Sequence, residues 1–501
     1  MNPSPSLLTC LALLLPAPAF AVLKAGFAER DITPEIGMER PGGYGKVFHK
    51  AIHDPCKVRA AVFDDGRRKV AIVGIDALIL RRPQVVAVRE QVHARCGIDP
   101  GAILIGASHS HSSGPVGLIL PGEFDHADAA IRQLAYEKSS NADPVYLELV
   151  EKQLVEAIVA ADAARREVEL GFGSGNAEGV SFNRRFRMKN GLSYTHPGYG
   201  NPEMLEPAGP VDTEVGVIGA WTPEGELTGC IVTFACHATT SPPGASANYI
   251  YYLEKTLREA TGSPDLPVVF VNGASGDITQ VDNRNPWGRR SGEEAAEVVG
   301  GSIGAEALKV LLSLRKITTV PVDQRVETLR IARRPPSAEH LASSREIVKT
   351  LPEPGIRATQ WIFAKEIVLL DALIAVEPVR EVEIQAVQIG PAVFVTTPAE
   401  YFCQFGLDQK AAIDFPFTWP VSLANGCVGY VPTAEAFAEH GGGYETRLTS
   451  YSNLIPSAGR TMADAGIALA LSLDPGPLPK PAKLPPARPP WDYGSTGPQL
   501  E

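Results

Sequence analysis

Apolar residues fall in short blocks separated by polar turns, and two spacings alternate along the chain. Val70 to Ile75 is a nearly continuous apolar block of strand length, the pattern of a strand covered on both faces. Pro83 to Cys96 places Val85, Val86, Val88 and Val92 at helical spacing. Ile103 to Ala107 predicts the next strand, and Tyr146 to Ala163 a long amphipathic helix. Val268 to Val271 and Ala392 to Val395 read as short buried strands ending near polar loops, and Arg325 to Ile331 as another strand. This alternation predicts an α/β protein with mixed sheets flanked by helices in one large domain. A second lobe beginning near Arg325 and running to about Pro475 is an open alternative. No internal repeat is visible.

Both ends depart from this pattern. Leu7 to Leu15 is apolar, and Ala19-Phe20-Ala21 is a small-x-small cleavage site before Val22. The expectation is a signal peptide over 1–21 and a secreted or periplasmic mature chain. The segment before Leu7 has no Lys or Arg. Cys10 raises a lipoprotein reading, which the apolar residues after it disfavour. From Asp474 onward proline dominates, so 474–501 cannot build a core of its own. It reads as disordered or as an extended strap, which leaves 22–473 as the folded domain.

Composition narrows the function classes. The 501 residues allow a large core, and 44% hydrophobic with 21% charged residues is ordinary for a globular protein. Net charge is −11 with no basic cluster, which argues against nucleic acid as a partner. No segment after the leader is long and apolar enough to span a membrane. Beyond Cys10, six scattered cysteines define no disulfide framework, and Cys-x-x-Cys is absent. Oligomeric state is not readable from the chain.

The chemistry concentrates where apolar strands run out. Ile103 to Ala107 leads into Ser108-His109-Ser110-His111-Ser112-Ser113-Gly114-Pro115. If the strand continued, the i, i+2 spacing would put both rings on one face. The pair then either shares a metal or divides between metal and substrate; the bland alternative is a self-satisfied polar loop. His237 follows the apolar run Cys230 to Phe234, a placement shared by core histidines and metal ligands. Glu400, just past Ala392 to Val395 and Pro398, is a ligand, a general base or a helix N-terminal acid. The loop Asn272-Gly273-Ala274-Ser275-Gly276-Asp277-Ile278-Thr279 offers amides for an oxyanion, or is a plain turn. It lacks the Gly-Lys-Ser/Thr of a phosphate loop. Arg184, in Asn183-Arg184-Arg185-Phe186-Arg187, is a solvated basic turn or a substrate clamp.

Together these segments resemble the neutral/alkaline non-lysosomal ceramidase family. The likeness starts at Ala25-Gly26-Phe27-Ala28-Glu29-Arg30-Asp31-Ile32-Thr33-Pro34 and Ile52-His53-Asp54-Pro55. It continues through the histidine pair, Asn183-Arg184, Phe234-Ala235-Cys236-His237, Gly276-Asp277-Ile278-Thr279, Pro398-Ala399-Glu400 and Gly429-Tyr430-Val431-Pro432-Thr433, in family order. The resemblance implies one catalytic Zn2+ held by His109, His237, Glu400 and Tyr430. It places His111 and Arg184 at the substrate carbonyl. The implied reaction is hydrolysis of an N-acyl amide, ceramide or a smaller relative, to fatty acid and amino alcohol. Two departures bear on substrate. Thr279 stands where the family has a serine, retaining a catalytic-candidate hydroxyl on a β-branched carbon and followed by Gln280. The Pro-rich tail also stands where full-length ceramidases carry an immunoglobulin-like domain. The readings left standing are ceramide-like amides, a different amide or ester, or a binding protein of the same fold without turnover.

Overall fold

The structure is a computed structural model that describes residues 22–500 except 286, 288–290, 351–355, 480–487 and 490. The leader assigned to residues 1–21 lies outside the described residues. The remainder is α/β, with two five-stranded sheets packed face to face and a four-stranded sheet closing one end.

The first sheet contains Lys24–Asp31, Lys57–Asp64, Lys69–Ile75 and Ile103–Ala107, with the two-residue strand Arg166–Glu167 at its far edge. The second contains Glu169–Asn176, Glu214–Trp221, Leu227–Phe234 and Val268–Asn272, edged by Lys316–Ile317. Their inner faces meet so closely that a Cβ on Gly74 would come within 2.2 Å of the Phe270 carbonyl oxygen. A side chain there would wedge the layers apart. Helices Arg82–Cys96 and Pro144–Ala163 cover the outer face of the first sheet, and Tyr249–Thr261 with Glu293–Ser313 cover that of the second. This layering explains why Lys69–Ile75 and Ile103–Ala107 read as unbroken apolar runs.

The third sheet, Val322–Ala332, Val379–Ile389, Ala392–Thr396 and Phe417–Val421, shares one apolar core with the first two sheets. Val322, Val387, Phe394 and Trp419 pack in the same cluster as Val73 and Ile105. Part of the chain after Arg325 therefore joins the common core, while Val382, Phe405 and Met462 pack in a cluster of their own. The start of the tail lies along this sheet: Gly476 N–H donates to Gly390 O at 3.0 Å, and Gln388 Nε2 to Asp474 O.

Each sheet contains one parallel pair joined by a single helix. Lys69–Ile75 pairs with Ile103–Ala107, Leu227–Phe234 with Val268–Asn272, and Ala392–Thr396 with Phe417–Val421. The crossover helices are Arg82–Cys96, Tyr249–Thr261 and Cys403–Ala412. Loops that leave the C-terminal ends of parallel strands are the usual place for a site in such sheets.

Buried charge ties the layers together. Arg59, on the first sheet, donates to Asp76 Oδ2 at 2.8 Å and through Nε to Glu254 Oε2 at 3.0 Å, on a helix of the second layer. The six cysteines are free thiols, and no helix among the described residues is long and apolar enough to cross a membrane. A three-stranded sheet over Arg185–Met188, Ser193–Thr195 and Met204–Pro207 has no apolar run and escapes the sequence reading.

Asp54 is buried, accepting from Ala247 N–H at 2.7 Å and Ser246 Oγ at 2.5 Å. Burial outweighs these bonds and raises its carboxyl from 3.8 to about 7. Between these values the folded chain keeps a proton that the unfolded chain has lost, so this group's contribution to stability falls as pH rises. Asp54→Asn removes that dependence. The melting temperature of the variant relative to wild type should rise between pH 5 and pH 8; a flat difference would refute the assignment.

Candidate metal centre

The loops after the parallel strands converge on one cavity of about 380 Å³. The first strand stops at Ala107, and His109 adopts φ 64°, a left-handed conformation uncommon for a residue with a Cβ. The i, i+2 strand argument therefore does not apply, because the pair sits on a tight loop. Backbone bonds fix that loop: Ser108 N–H donates to Ile75 O, Ser110 N–H to Ala77 O and His111 N–H to Ala238 O. The last of these links the two histidine loops directly.

His109 Nδ1 donates to Leu78 O at 2.9 Å, and His237 Nδ1 donates to Ser275 O at 2.7 Å. Each bond leaves Nε2 as the unprotonated nitrogen of a neutral ring. Both Nε2 atoms face Glu400 Oε2, at 3.2 Å and 3.0 Å. His111 Nε2 lies 3.2 Å from His109 Nε2. The side chains of Glu400, His109 and His237 are nearly inaccessible to water. Lone pairs gathered this closely repel unless a cation sits among them, and the nitrogen–oxygen donor set suits a divalent ion. His109, His111 and His237 are close enough to hold a metal ion.

Protonation states agree. Burial, then Arg184, lowers His237 to about 4. Burial, then His109 and His237, pushes His111 well below its ordinary value. Neutral imidazoles around a carboxylate form a ligand set at neutral pH.

Glu400 is not a helix N-terminal acid. It lies in a two-residue strand paired in parallel with Tyr430–Val431, which sets Glu400 opposite Tyr430. Tyr430 Oη lies 3.4 Å from His237 Nε2 and accepts from Arg184 Nη2 at 3.0 Å. Burial raises the Tyr430 phenol well above its ordinary value, against the opposing pull of Arg184. Arg184 is itself buried: Nη2 also donates to Gly276 O, and Nε donates to Glu445 Oε1 at 2.8 Å. Its guanidinium is held in one orientation toward the cavity. The loop Asn272 to Thr279 presents carbonyls to this site through Ser275 and Gly276. Gly276 is required there, since a Cβ would lie 2.4 Å from the Glu400 carbonyl oxygen.

Comparison with known proteins finds likeness in fold. No protein-family model matches the chain. Over 245 residues it is 27% identical to the neutral ceramidase of Pseudomonas aeruginosa, an alignment spanning 47% of this chain and 33% of that protein. The crystal structure of neutral ceramidase from Pseudomonas aeruginosa superposes with a TM-score of 0.66 at 18% identity, covering 92% of this chain and 77% of the other. A ceramidase complexed with C2 gives 0.65 over the same shares. In fold the chain is similar to these ceramidases. The curated alignment itself spans about a third of its relative's length.

The cavity brings together His109, His111, Arg184, His237, Glu400 and Tyr430. Thr279 is not among its lining residues: the Thr279 hydroxyl donates to Gln280 Oε1 at 3.0 Å, and Thr239, which does line the cavity, donates to the same oxygen at 2.9 Å. Of the two threonines on that oxygen, Thr239 is the one at the cavity.

Sequence reasoning missed four polar residues. Glu445 is fully buried and accepts from Arg184 Nε and from Thr195 Oγ1 at 2.6 Å. Tyr444 and Tyr44 face each other across the cavity with ring centroids 6.5 Å apart. Tyr451 donates to Glu400 Oε1 at 2.8 Å, which leaves Oε2 for the histidine side. All lie in irregular segments without a strand or helix period to mark them.

The Tyr451 bond orients the carboxylate. Tyr451→Phe should keep the fold and weaken binding of an added divalent metal about 10- to 100-fold, the usual cost of losing such a support. Competition titration against a chromophoric chelator reads this, and unchanged affinity would refute it.

Proposed function

We propose that the chain is a secreted zinc-dependent amidohydrolase that cleaves N-acyl amide bonds of ceramide-like molecules to a fatty acid and an amino alcohol. The observation that carries this reading is the meeting of His109 Nε2, His237 Nε2 and Glu400 Oε2, with Arg184 and His111 beside them. The ceramidase likeness supplies the reaction class.

His109, His237 and Glu400 would hold the ion, with Tyr430 Oη beside them as the fourth protein group. Bound zinc supplies Lewis acidity and a water acidified toward a pKa of about 7. The protein supplies the rest. Arg184 directs guanidinium N–H groups at the place where the amide oxygen gains charge, and Glu445 keeps it there. His111, neutral and adjacent, takes a hydrogen-bonding or proton-carrying role at the reacting carbonyl.

Metal content separates these roles. Protein purified without added metal should contain one zinc per chain by elemental analysis. His109→Ala and His237→Ala should lose it. Arg184→Ala and His111→Ala should retain it and lose about 100-fold or more in turnover. Loss of zinc from His111→Ala would instead make the histidine pair a joint metal site. Full metal with no hydrolysis of any acyl amide or ester would leave a binding protein.

A second reading, a smaller amide or ester, gains support from the cavity. At about 380 Å³ it lies near the low end for ligand pockets. Such a cavity encloses the amide and its polar end, not two long chains. With substrates kept monomeric, kcat/KM should change little across an acyl-length series. A steep rise with each added methylene would show a buried chain groove, since each is worth about 0.8 kcal/mol when buried.

A further inference from the structure

Two β segments frame the mouth of the cavity. One is the hairpin from Ile36 to Ile52, whose turn places Gly42, Gly43 and Tyr44 in the cavity wall. Arm and turn are both tied down: His49 Nε2 donates to Ser113 O at 2.8 Å beside the histidine loop, and Lys365 Nζ donates to Tyr44 O in the turn. The other is the three-stranded sheet from Arg185 to Pro207, which contributes Thr195 and His196. Beside these wall residues, both segments expose large apolar side chains. Ile36 is 63% exposed, Val47 49% and Phe48 52% on the hairpin; Leu192 is 44% and Tyr194 41% on the sheet. His196 leans on Asn283, and Trp287 in that same loop is 91% exposed.

The charges around them are distinctive in an acidic chain. Between Glu35 and Ile52 there are three cations, Arg40, Lys46 and Lys50, against two acids, Glu35 and Glu39. Lys46 pairs with Glu39, while Arg40 and Lys50 have no ion-pair partner among the described residues. Aliphatic and aromatic side chains edged by uncompensated cations match a lipid–water interface, where rings sit at headgroup depth and cations meet lipid phosphates.

We propose that this rim docks on anionic lipid surfaces, holding the cavity mouth against the headgroup layer. The proposal rests on the amphiphilic-amide reading of the site. It also reconciles a small cavity with a long-chain substrate: the amide enters while the chains stay in the lipid. Net charge of −11 opposes approach to such a surface, so apolar insertion must carry the contact and the cations orient it.

The test uses the full chain and extruded phosphatidylcholine vesicles with or without phosphatidylglycerol, with binding read by flotation. Wild type should float with the mixed vesicles and less with phosphatidylcholine alone. Val47→Ser/Phe48→Ser and Leu192→Ser/Tyr194→Ser should each weaken flotation about tenfold or more, while metal content and turnover of a soluble short-chain amide stay unchanged. Wild type that binds neither vesicle, or variants that float as well as wild type, would overturn the proposal. So would a dimer held by this rim that ignores vesicles. Flotation needs no turnover, so a protein that floats yet cleaves no amide defeats the proposed activity and spares the docking surface.

Discussion

Two backbone carbonyls determine what the centre of this protein can do. Leu78 O and Ser275 O each take a proton-bearing Nδ1, from His109 and His237, and so turn both Nε2 lone pairs inward. Without these bonds either ring could present an N–H to Glu400, and the cluster would satisfy itself as an ordinary buried polar network. With them, a carboxylate oxygen faces two nitrogens that have nothing to donate. The rest of the site, from the Tyr451 support to the Glu445 clamp on Arg184, holds that confrontation in place.

The sheets explain why these carbonyls lie where they do. Leu78 follows the strand that ends at Ile75, one member of the first parallel pair, and His109 follows the other. His237 and Ser275 stand in the same relation to the second pair, and Glu400 follows a strand of the third. A parallel pair brings both outgoing loops to one edge. In the first two pairs one loop supplies a ligand and its neighbour supplies the oxygen that orients it.

Much of this was legible in the chain. Ile103 to Ala107 and Val268 to Val271 announce themselves because both their faces are covered, and helix Pro144–Ala163 keeps its period because one face packs on a sheet. His109, His111 and His237 stood out as histidines just past such runs. Glu400 was ambiguous because a lone acid after a proline carries no sign of which strand it will join; its pairing with Tyr430–Val431 is a long-range event. Tyr430 entered only through family likeness, and Tyr451 and Glu445 not at all. Their positions follow from the packing of irregular loops, which leaves no period in sequence. Thr279 shows the converse hazard: the motif was found, but its hydroxyl turns to Gln280.

The proposed ligands come from residues 109, 237, 400 and 430, and the supporting phenol from residue 451, so the two histidines and the carboxylate lie more than a hundred residues apart in sequence. An N-terminal portion with the first two sheets would own both histidines and their carbonyls but lack the carboxylate opposite them. On the proposed reading, ion capture is therefore a late event in the life of each molecule, reached once the third crossover has closed against the others. Bound metal would then mark a finished chain, and a nascent or clipped one would have little hold on the ion.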